Sequence, residues 1–213
     1  MRIKYCLTGI LTIFFLQTAS SQGKYTEIKD PGIFRQNFRE ASNKLTTIEA
    51  AFIQEKNLSI LSEKIISKGK FLFKKENMLR WEYAEPFHYL IILNNGRILI
   101  RDDEKKTRID TRSNKLFAEI NEIIIGCVQG NLFNDDRKFS AAFFENNRGY
   151  LIKLKPLTSK LKEFLSEIRL YLDKNDCTVT RLEMLESSGD FTGIDFSGKK
   201  MNLPIPDDKF RIP

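Results

Sequence analysis

Large apolar side chains occupy every second position in two runs of the segment SKGKFLFKKENMLRWEY, which begins at Ser67. Lysine, arginine and glutamate fill many of the positions between them. Successive side chains of a β-strand point to opposite faces, so this spacing predicts two paired strands with one apolar face. Such a face can form an ordinary core or the wall of a cavity for an apolar ligand. The row consists of Phe71, Phe73, Leu79, Trp81 and Tyr83.

The same period of two recurs along most of the chain, between short turns. Asn95-Gly96 separates two apolar runs, which is typical of a two-residue β-hairpin. Many strands joined by tight turns favour an antiparallel, strongly curved sheet of about 10 or 11 strands. Strands are predicted at 48–54, 64–75, 78–83, 89–93, 98–100, 139–144, 150–154, 165–173, 178–186 and 191–196, with a last extended piece after Ser197-Gly198.

Two segments show helical spacing instead. The first is Ile33 to Leu45, which follows Asp30-Pro31, and the second is Asn114 to Val128. We expect both helices to cover the opening of the curved sheet as lids. The predicted fold is therefore mainly β with α, an incomplete, strongly curved antiparallel β-barrel covered by lid helices. The apolar lid residues are Phe34, Phe38, Phe117, Ile120 and Ile124.

The N-terminus has the order of residues found in a secretory signal peptide. Arg2 and Lys4 are followed by the apolar run 6–16 and by the small residues of 18–21. The apolar run is shorter than the ~20 residues that span a bilayer. We expect a signal peptide at 1–21 and a single exported domain at 22–213, which is long enough to bury a substantial core.

Export would place Cys127 and Cys177 in an oxidising compartment. The two thiols can form a disulfide there, or both can be buried free cysteines.

The formal net charge is +7, and basic residues are interleaved with acidic ones along the chain. This pattern favours a solvated surface over nucleic-acid binding. A mild basic excess also suits an acidic partner or an anionic membrane surface.

The sequence contains no set of residues that would indicate catalysis. His88 is the only histidine, and no Gly-x-Ser-x-Gly nucleophile motif or glycine-rich phosphate loop is present. Neither cysteine has ligands nearby at the spacing of a zinc site. The acidic run Asp102-Asp103-Glu104 is adjacent to lysines and is typical of a solvated turn. We therefore predict no catalytic residue, no metal and no cofactor, which favours a binding protein.

A curved sheet of this size has an inner face that can enclose an apolar ligand. Burial alone contributes about 0.8 kcal/mol per CH₂ group, which is sufficient to hold acyl chains. The predicted wall of the cavity consists of Phe52, Phe71, Phe73, Leu79, Trp81, Tyr83, Ile91, Ile98, Ile100, Ile152, Leu154, Leu170, Leu182, Met184, Ile194 and Phe196.

Several strings together resemble the periplasmic outer-membrane lipoprotein carrier (LolA) family. They are Phe52-Ile53-Gln54, the run from Ser67 to Tyr83, Pro86 and Asn95-Gly96. Near the C-terminus, the runs 190–196 and 202–210 look like the C-terminal strands of that family. The resemblance extends from about Ile33 to Phe210, and its most specific part is Gly-x-Phe-x-Phe-Lys followed by Asn-x-Leu-Arg-Trp-x-Tyr.

The resemblance implies a monomeric periplasmic chaperone that binds the acyl chains of lipoproteins and catalyses no reaction. Its implied partners are acylated lipoproteins, an inner-membrane ATP-driven releasing complex and an outer-membrane acceptor. Two alternatives remain open: a LolA-like carrier of another lipid or glycolipid, and a non-catalytic lipoprotein-sensing module of the same fold.

One position departs from the family pattern. The family string usually reads Lys-Arg-Pro-Asn, with an arginine that ties down the lid, whereas this chain has Lys74-Lys75-Glu76-Asn77. Lys75 thus holds the latch position. Lysine lacks the planar fork with which arginine makes several hydrogen bonds at once. The sequence therefore predicts a less tightly latched lid.

Overall fold

The computed structural model describes residues 23–61, 63–75, 77–102, 106–110, 125–126 and 137–212. Three helical segments with defined bounds lie in these ranges: α1 (Gly32–Lys44), α2 (Ser159–Lys162) and a C-terminal 3-10 helix (Asp207–Phe210). The strands are β1 (Thr26–Glu27), β2 (Thr47–Asn57), β3 (Lys64–Lys74), β4 (Met78–Glu85), β5 (Tyr89–Asn94), β6 (Arg97–Asp102), β7 (Lys106–Asp110), β8 (Phe139–Glu145), β9 (Gly149–Pro156), β10 (Leu165–Asp173), β11 (Val179–Glu186) and β12 (Phe191–Met201).

The twelve strands form one antiparallel sheet in the order β1-β8-β9-β10-β11-β12-β2-β3-β4-β5-β6-β7. Most neighbours are also consecutive in the chain, as tight turns require. The pairing of β12 with β2 is long-range and places Phe196 opposite Phe52. The sheet order is linear, with β1 and β7 at its two ends. The antiparallel, β-rich prediction is confirmed. Two strands, β1 and β7, were not predicted, and the expected last extended piece is part of β12.

Ring contacts across the inner face show that the sheet is curved. The ring centroids of Trp81 on β4 and Phe196 on β12 are 5.9 Å apart. Their strands are three places apart in the sheet, a separation of about 14 Å in a flat sheet. Phe71 on β3 lies between them and contacts both rings, at 5.1 and 5.6 Å. Curvature brings these side chains into one core.

Helix α1 packs on the inner face through its apolar side. Phe34 and Phe38 are buried, and the ring of Phe34 lies 4.7 Å from Tyr150 on β9 and 5.5 Å from Phe143 on β8. The N–H of Gly32 donates to Oδ1 of Asp30 at 3.0 Å at the start of the helix. The first predicted helix is therefore confirmed within one residue at each end. In the described ranges, no helix is long and apolar enough to cross a membrane.

The C-terminal segment packs on the outer face of the sheet. Phe210 is completely buried and forms a second apolar cluster with Leu90, Ile92, Leu99 and Ile205. The expected C-terminal strand at 202–210 is wrong, because residues 207–210 form the 3-10 helix. Side chains of Lys74, Arg80 and Asn94 donate to backbone carbonyls of this segment, at 2.8, 3.2 and 3.1 Å.

Strand β12 continues through Ser197-Gly198, where the sequence indicated a break. The register with β2 shifts between Ser197 and Lys200, so one residue is added on β12. Gly198 has φ of +60°, a conformation open to glycine. The arrangement is a β-bulge, which redirects the side chains that follow it.

Several predictions fall outside the described residues. The signal peptide at 1–21 is one of them. The second lid helix is another, except for Ile125 and Gly126, which are helical, and Ile125 is buried in the inner-face cluster. Phe117, Ile120 and Ile124 of the expected lid therefore have no described placement.

Candidate functional site

A cavity of about 170 Å³ lies between the C-terminal half of α1 and the inner face of the sheet. It is bordered by β2, β3, β4, β11 and β12. Curvature of the sheet and the position of α1 together create it, because neither surface encloses space alone. Its apolar lining consists of Ala41, Leu45, Ile48, Ala50, Phe71, Trp81, Cys177, Val179, Leu182, Phe196 and Met201.

Polar residues form the rim of the cavity, where it meets solvent. They come from the end of α1, from the β10–β11 turn and from β12. The rim residues are Ser42, Lys44, Asp176, Thr178, Lys199 and Asn202. The site thus has an apolar interior and a polar mouth, which is the usual arrangement for an amphiphilic ligand.

The predicted wall residues all lie on the inner face, but they differ in their relation to the cavity. Phe71, Leu182, Trp81 and Phe196 line it. Tyr83, Ile91, Ile100 and Met184 are partly buried against the core cluster. The fully buried remainder packs as core beside the cavity: Phe52, Phe73, Leu79, Ile98, Ile152, Leu154, Leu170 and Ile194.

Several lining residues were not predicted from the sequence. Ile48 and Ala50 precede Phe52 on the inner face of β2, so the alternation along that strand contained the signal. Leu45 and Met201 lie at element ends, where periodicity no longer indicates direction. Cys177 lies in a turn with φ of +56°, outside any periodic pattern.

The volume of the cavity limits what it holds in this conformation. A void of about 150 Å³ accommodates a molecule the size of benzene, and ordinary ligand sites measure about 300–1,000 Å³. The space beneath α1 is therefore smaller than an ordinary ligand site. A larger ligand would fit only if α1 moved away from the sheet.

Two polar groups are buried close to the aromatic wall. The hydroxyl of Tyr83 donates to Oε1 of Gln54 at 2.9 Å. Burial, together with the nearby Tyr89, raises the pKa of Tyr83 to about 12. The indole N–H of Trp81 has no hydrogen-bond acceptor among the described residues. A buried donor without a partner costs about 1–3 kcal/mol.

The predicted latch position contacts the lid helix. The Nζ of Lys75 donates to the carbonyl of Asn43 in the last turn of α1 at 3.2 Å. The backbone N–H of Lys75 donates to the carbonyl of Thr46 at 2.9 Å. The side chain is exposed and makes one described bond to the lid. A single exposed bond of this kind holds the helix weakly.

Asn202 fixes the junction between α1 and β2 to the end of β12. Its Oδ1 accepts from the backbone N–H of Thr46 at 2.8 Å and from the Thr46 hydroxyl at 3.1 Å. The N–H of Asn202 donates to the carbonyl of Thr47 at 3.0 Å. Its φ of +59° lies in the left-handed region, which asparagine tolerates. Any movement of α1 is therefore expected to pivot near this junction.

The remaining candidate residues are placed as follows. Cys177 is buried, and burial raises the pKa of its thiol. In the structure Cys177 is a free cysteine, one of the two alternatives that the sequence left open, and Cys127 lies outside the described residues. His88 is exposed in the β4–β5 turn. The described parts of the chain hold no cluster of three or more metal-ligating side chains.

Comparisons with known proteins agree with this architecture. The family model for the outer membrane lipoprotein carrier protein LolA matches residues 43–213. An outer-membrane lipoprotein carrier protein of Pseudomonas putida is 22% identical over 177 residues, covering 83% of this chain and 82% of that protein.

Among solved structures, an uncharacterized conserved protein of Thermus thermophilus matches with a TM-score of 0.51 at 10% identity, covering 86% of this chain and 95% of that one. A LolA superfamily protein from Nitrosomonas europaea matches with a TM-score of 0.46 at 11% identity, covering 84% of this chain and 97% of that one. The likeness to the Thermus protein supports the fold.

Proposed function

Because the chain belongs to the LolA family of outer membrane lipoprotein carrier proteins, we propose that it binds lipoprotein acyl chains in the cavity beneath α1. It carries them through the periplasm from the inner to the outer membrane. The observation that carries this proposal is the cavity itself, an apolar interior of Phe71, Trp81 and Phe196 with a polar rim. The proposed role is binding without catalysis.

The proposed binding cycle depends on the lid. In the present conformation the rings of Phe34 and Phe38 pack against the sheet and each other, at 5.8 Å between their centroids. An entering acyl chain replaces these contacts with contacts of its own. Since one apolar environment is exchanged for another, loading requires little net free energy and is reversible.

The proposed partners follow from the same family role. Cargo is received from an inner-membrane ATP-driven releasing complex and passed to an outer-membrane acceptor. The protein acts as a monomer and is exported by its signal peptide at 1–21. A related lipid or glycolipid is the alternative cargo, since the apolar lining recognises chains rather than the molecule that bears them.

The test is native mass spectrometry of the protein purified from the periplasm, combined with displacement of a fluorescent fatty-acid probe. We expect an acylated molecule to copurify with the wild-type protein. Ala41→Phe places an additional ring in the cavity from the lid side and should abolish binding. Its matched control is Ala51→Phe on the exposed outer face of β2, which should bind normally.

Trp81→Glu provides a second variant, since it places a charge in the wall. Phe87→Glu is its control, because Phe87 is 79% exposed in the β4–β5 turn. Binding that survives both Ala41→Phe and Trp81→Glu in folded protein would place the acyl chain elsewhere. An empty wild-type protein that takes up no probe would sink the proposal.

A further inference from the structure

Lys199 differs from Lys200, the other lysine of β12, in the direction of its side chain. Strict alternation along a strand sends every second residue outward, and Ser197 and Lys200 lie opposite the outward-facing Ala51 and Glu49 of β2. On β12, two residues, Gly198 and Lys199, separate Ser197 from Lys200, because of the bulge at Gly198. The bulge therefore turns Lys199 into the mouth of the cavity, where its side chain is 17% exposed.

The ammonium group of Lys199 is only partly neutralised there. It lies 3.8 Å from Oδ1 of Asp176, beyond hydrogen-bond distance, and its hydrogen bond goes to the hydroxyl of Thr178. The same Oδ1 accepts from the backbone N–H of Thr178 at 2.8 Å and from its hydroxyl at 2.6 Å. The carboxylate of Asp176 is thus hydrogen-bonded within the β10–β11 turn in which it lies. An ammonium has three donors, and one of them is used in the described contacts.

The rest of the mouth adds positive charge. Lys44 is the second cation of the rim, so the lining residues carry two lysines against one aspartate. The C-terminal end of α1 also faces the mouth and has partial negative charge. Lys44 in the last turn and Lys75, which donates to the carbonyl of Asn43, offset that charge. An anionic group at this position meets a net positive rim.

We propose that the cavity selects amphiphiles whose acyl chain carries an anionic head group, a carboxylate or a phosphate, and that Lys199 binds this group. The inference rests on the proposed function, since it assumes that the cavity holds the chain. It favours the alternative lipid cargo, because the acyl chains of a lipoprotein are joined through uncharged ester and amide bonds. A charge-assisted hydrogen bond in a partly desolvated mouth is stronger than one in water. The polar end of the ligand is thereby fixed at the rim, with the chain directed towards Trp81.

The experiment compares dodecanoate, dodecyl phosphate and dodecanol, each titrated against the full chain at neutral pH and low salt by calorimetry. The three share one chain and differ in head group. We expect wild-type protein to bind the two anions about ten- to a hundredfold more tightly than the alcohol, as one charged hydrogen bond allows. Tighter binding of one anion than the other identifies which head group fits.

Lys199→Met should remove the preference for the two anions over dodecanol while retaining dodecanol binding. Lys199→Arg keeps the positive charge and should retain the preference. Lys200→Met is the matched control, because Lys200 is 60% exposed and pairs with Glu49 on the outer face. Equal wild-type affinity for the anions and the alcohol, or a preference that persists in Lys199→Met, overturns the inference and leaves the proposed function standing. Failure to bind any of the three ligands counts against both. Circular dichroism of each variant confirms folding.

Discussion

Gly69 lies directly beneath the ring of Phe52, since a Cβ atom at position 69 would be 2.7 Å from two carbons of that ring. The same Cβ would be 2.0 Å from the carbonyl oxygen of Glu82 on β4. Both distances are too short for real contacts, and one partner is backbone. We expect Gly69→Ala to lower the free energy of unfolding by about 1–3 kcal/mol, measured by chemical denaturation.

Gly23→Ala is the control for this substitution. A Cβ at position 23 would have its nearest neighbour, Nδ2 of Asn146, at an ordinary 3.9 Å. We expect Gly23→Ala to change the free energy of unfolding by no more than about 0.5 kcal/mol. Equal stability of the two variants would contradict the close approach of the Phe52 ring to β3.

The latch position provides a kinetic prediction. Lys75→Arg adds donors that can reach the last carbonyls of α1, where lysine now makes one described bond. Each additional bond is worth about 0.5–1.5 kcal/mol, so release of a fluorescent fatty-acid probe should slow by about two- to tenfold. Stopped-flow displacement measures the rate.

Lys70→Arg makes the same chemical change on the exposed outer face of β3 and should leave the release rate unchanged. Slower release in Lys75→Arg alone assigns the effect to the lid. If the probe is released at the same rate from both variants, Lys75 does not act as a latch.

Tyr83 predicts a dependence of stability on alkaline pH. Burial raises the pKa of its phenol to about 12 in the folded protein, above the ordinary value of 10. Between these values the unfolded state has lost the proton and the folded state has kept it, so stability falls as pH rises. The shift of this pKa contributes fully to the free energy of unfolding below pH 10. About 2–3 kcal/mol of that contribution is lost by pH 12.

Tyr83→Phe should flatten this slope, although removing the bond to Gln54 also lowers stability at neutral pH. The quantity to compare is therefore the change in unfolding free energy from pH 9 to pH 12, measured by urea denaturation. The other tyrosines with raised pKa, Tyr25, Tyr89 and Tyr171, are common to both proteins. Parallel slopes would show that the phenol of Tyr83 titrates like an exposed one.

Local patterns in the sequence predicted much of the sheet. Asn95-Gly96 forms the expected turn, with φ of +49° and +75°. Phe71 and Trp81 pair across β3 and β4 on the inner face, as their alternation indicated. These features depend on the two face directions of a strand and on turn chemistry, both of which are encoded within a few residues.

Features that depend on contacts between distant segments were not predicted. The position of α1 over the sheet determines which inner-face residues line a cavity and which are core, and no periodicity encodes it. The bulge at Gly198 breaks the alternation, so Lys199 could not be assigned to a face from its spacing. The outer-face cluster was also missed, because Leu90, Ile92 and Leu99 alternate with inner residues in strands that are apolar on both faces.

That outer cluster gives the last prediction. Phe210 is the last residue of the C-terminal 3-10 helix and is completely buried, on the side of the sheet opposite the cavity. Phe210→Ala should cost about 3–5 kcal/mol of unfolding free energy, whereas Phe87→Ala at a 79% exposed position should cost almost nothing. Because a sheet separates the two sites, we expect the folded Phe210→Ala protein to retain the probe affinity of the wild type. A loss of affinity at a temperature where the variant is fully folded would instead couple the outer face to the cavity.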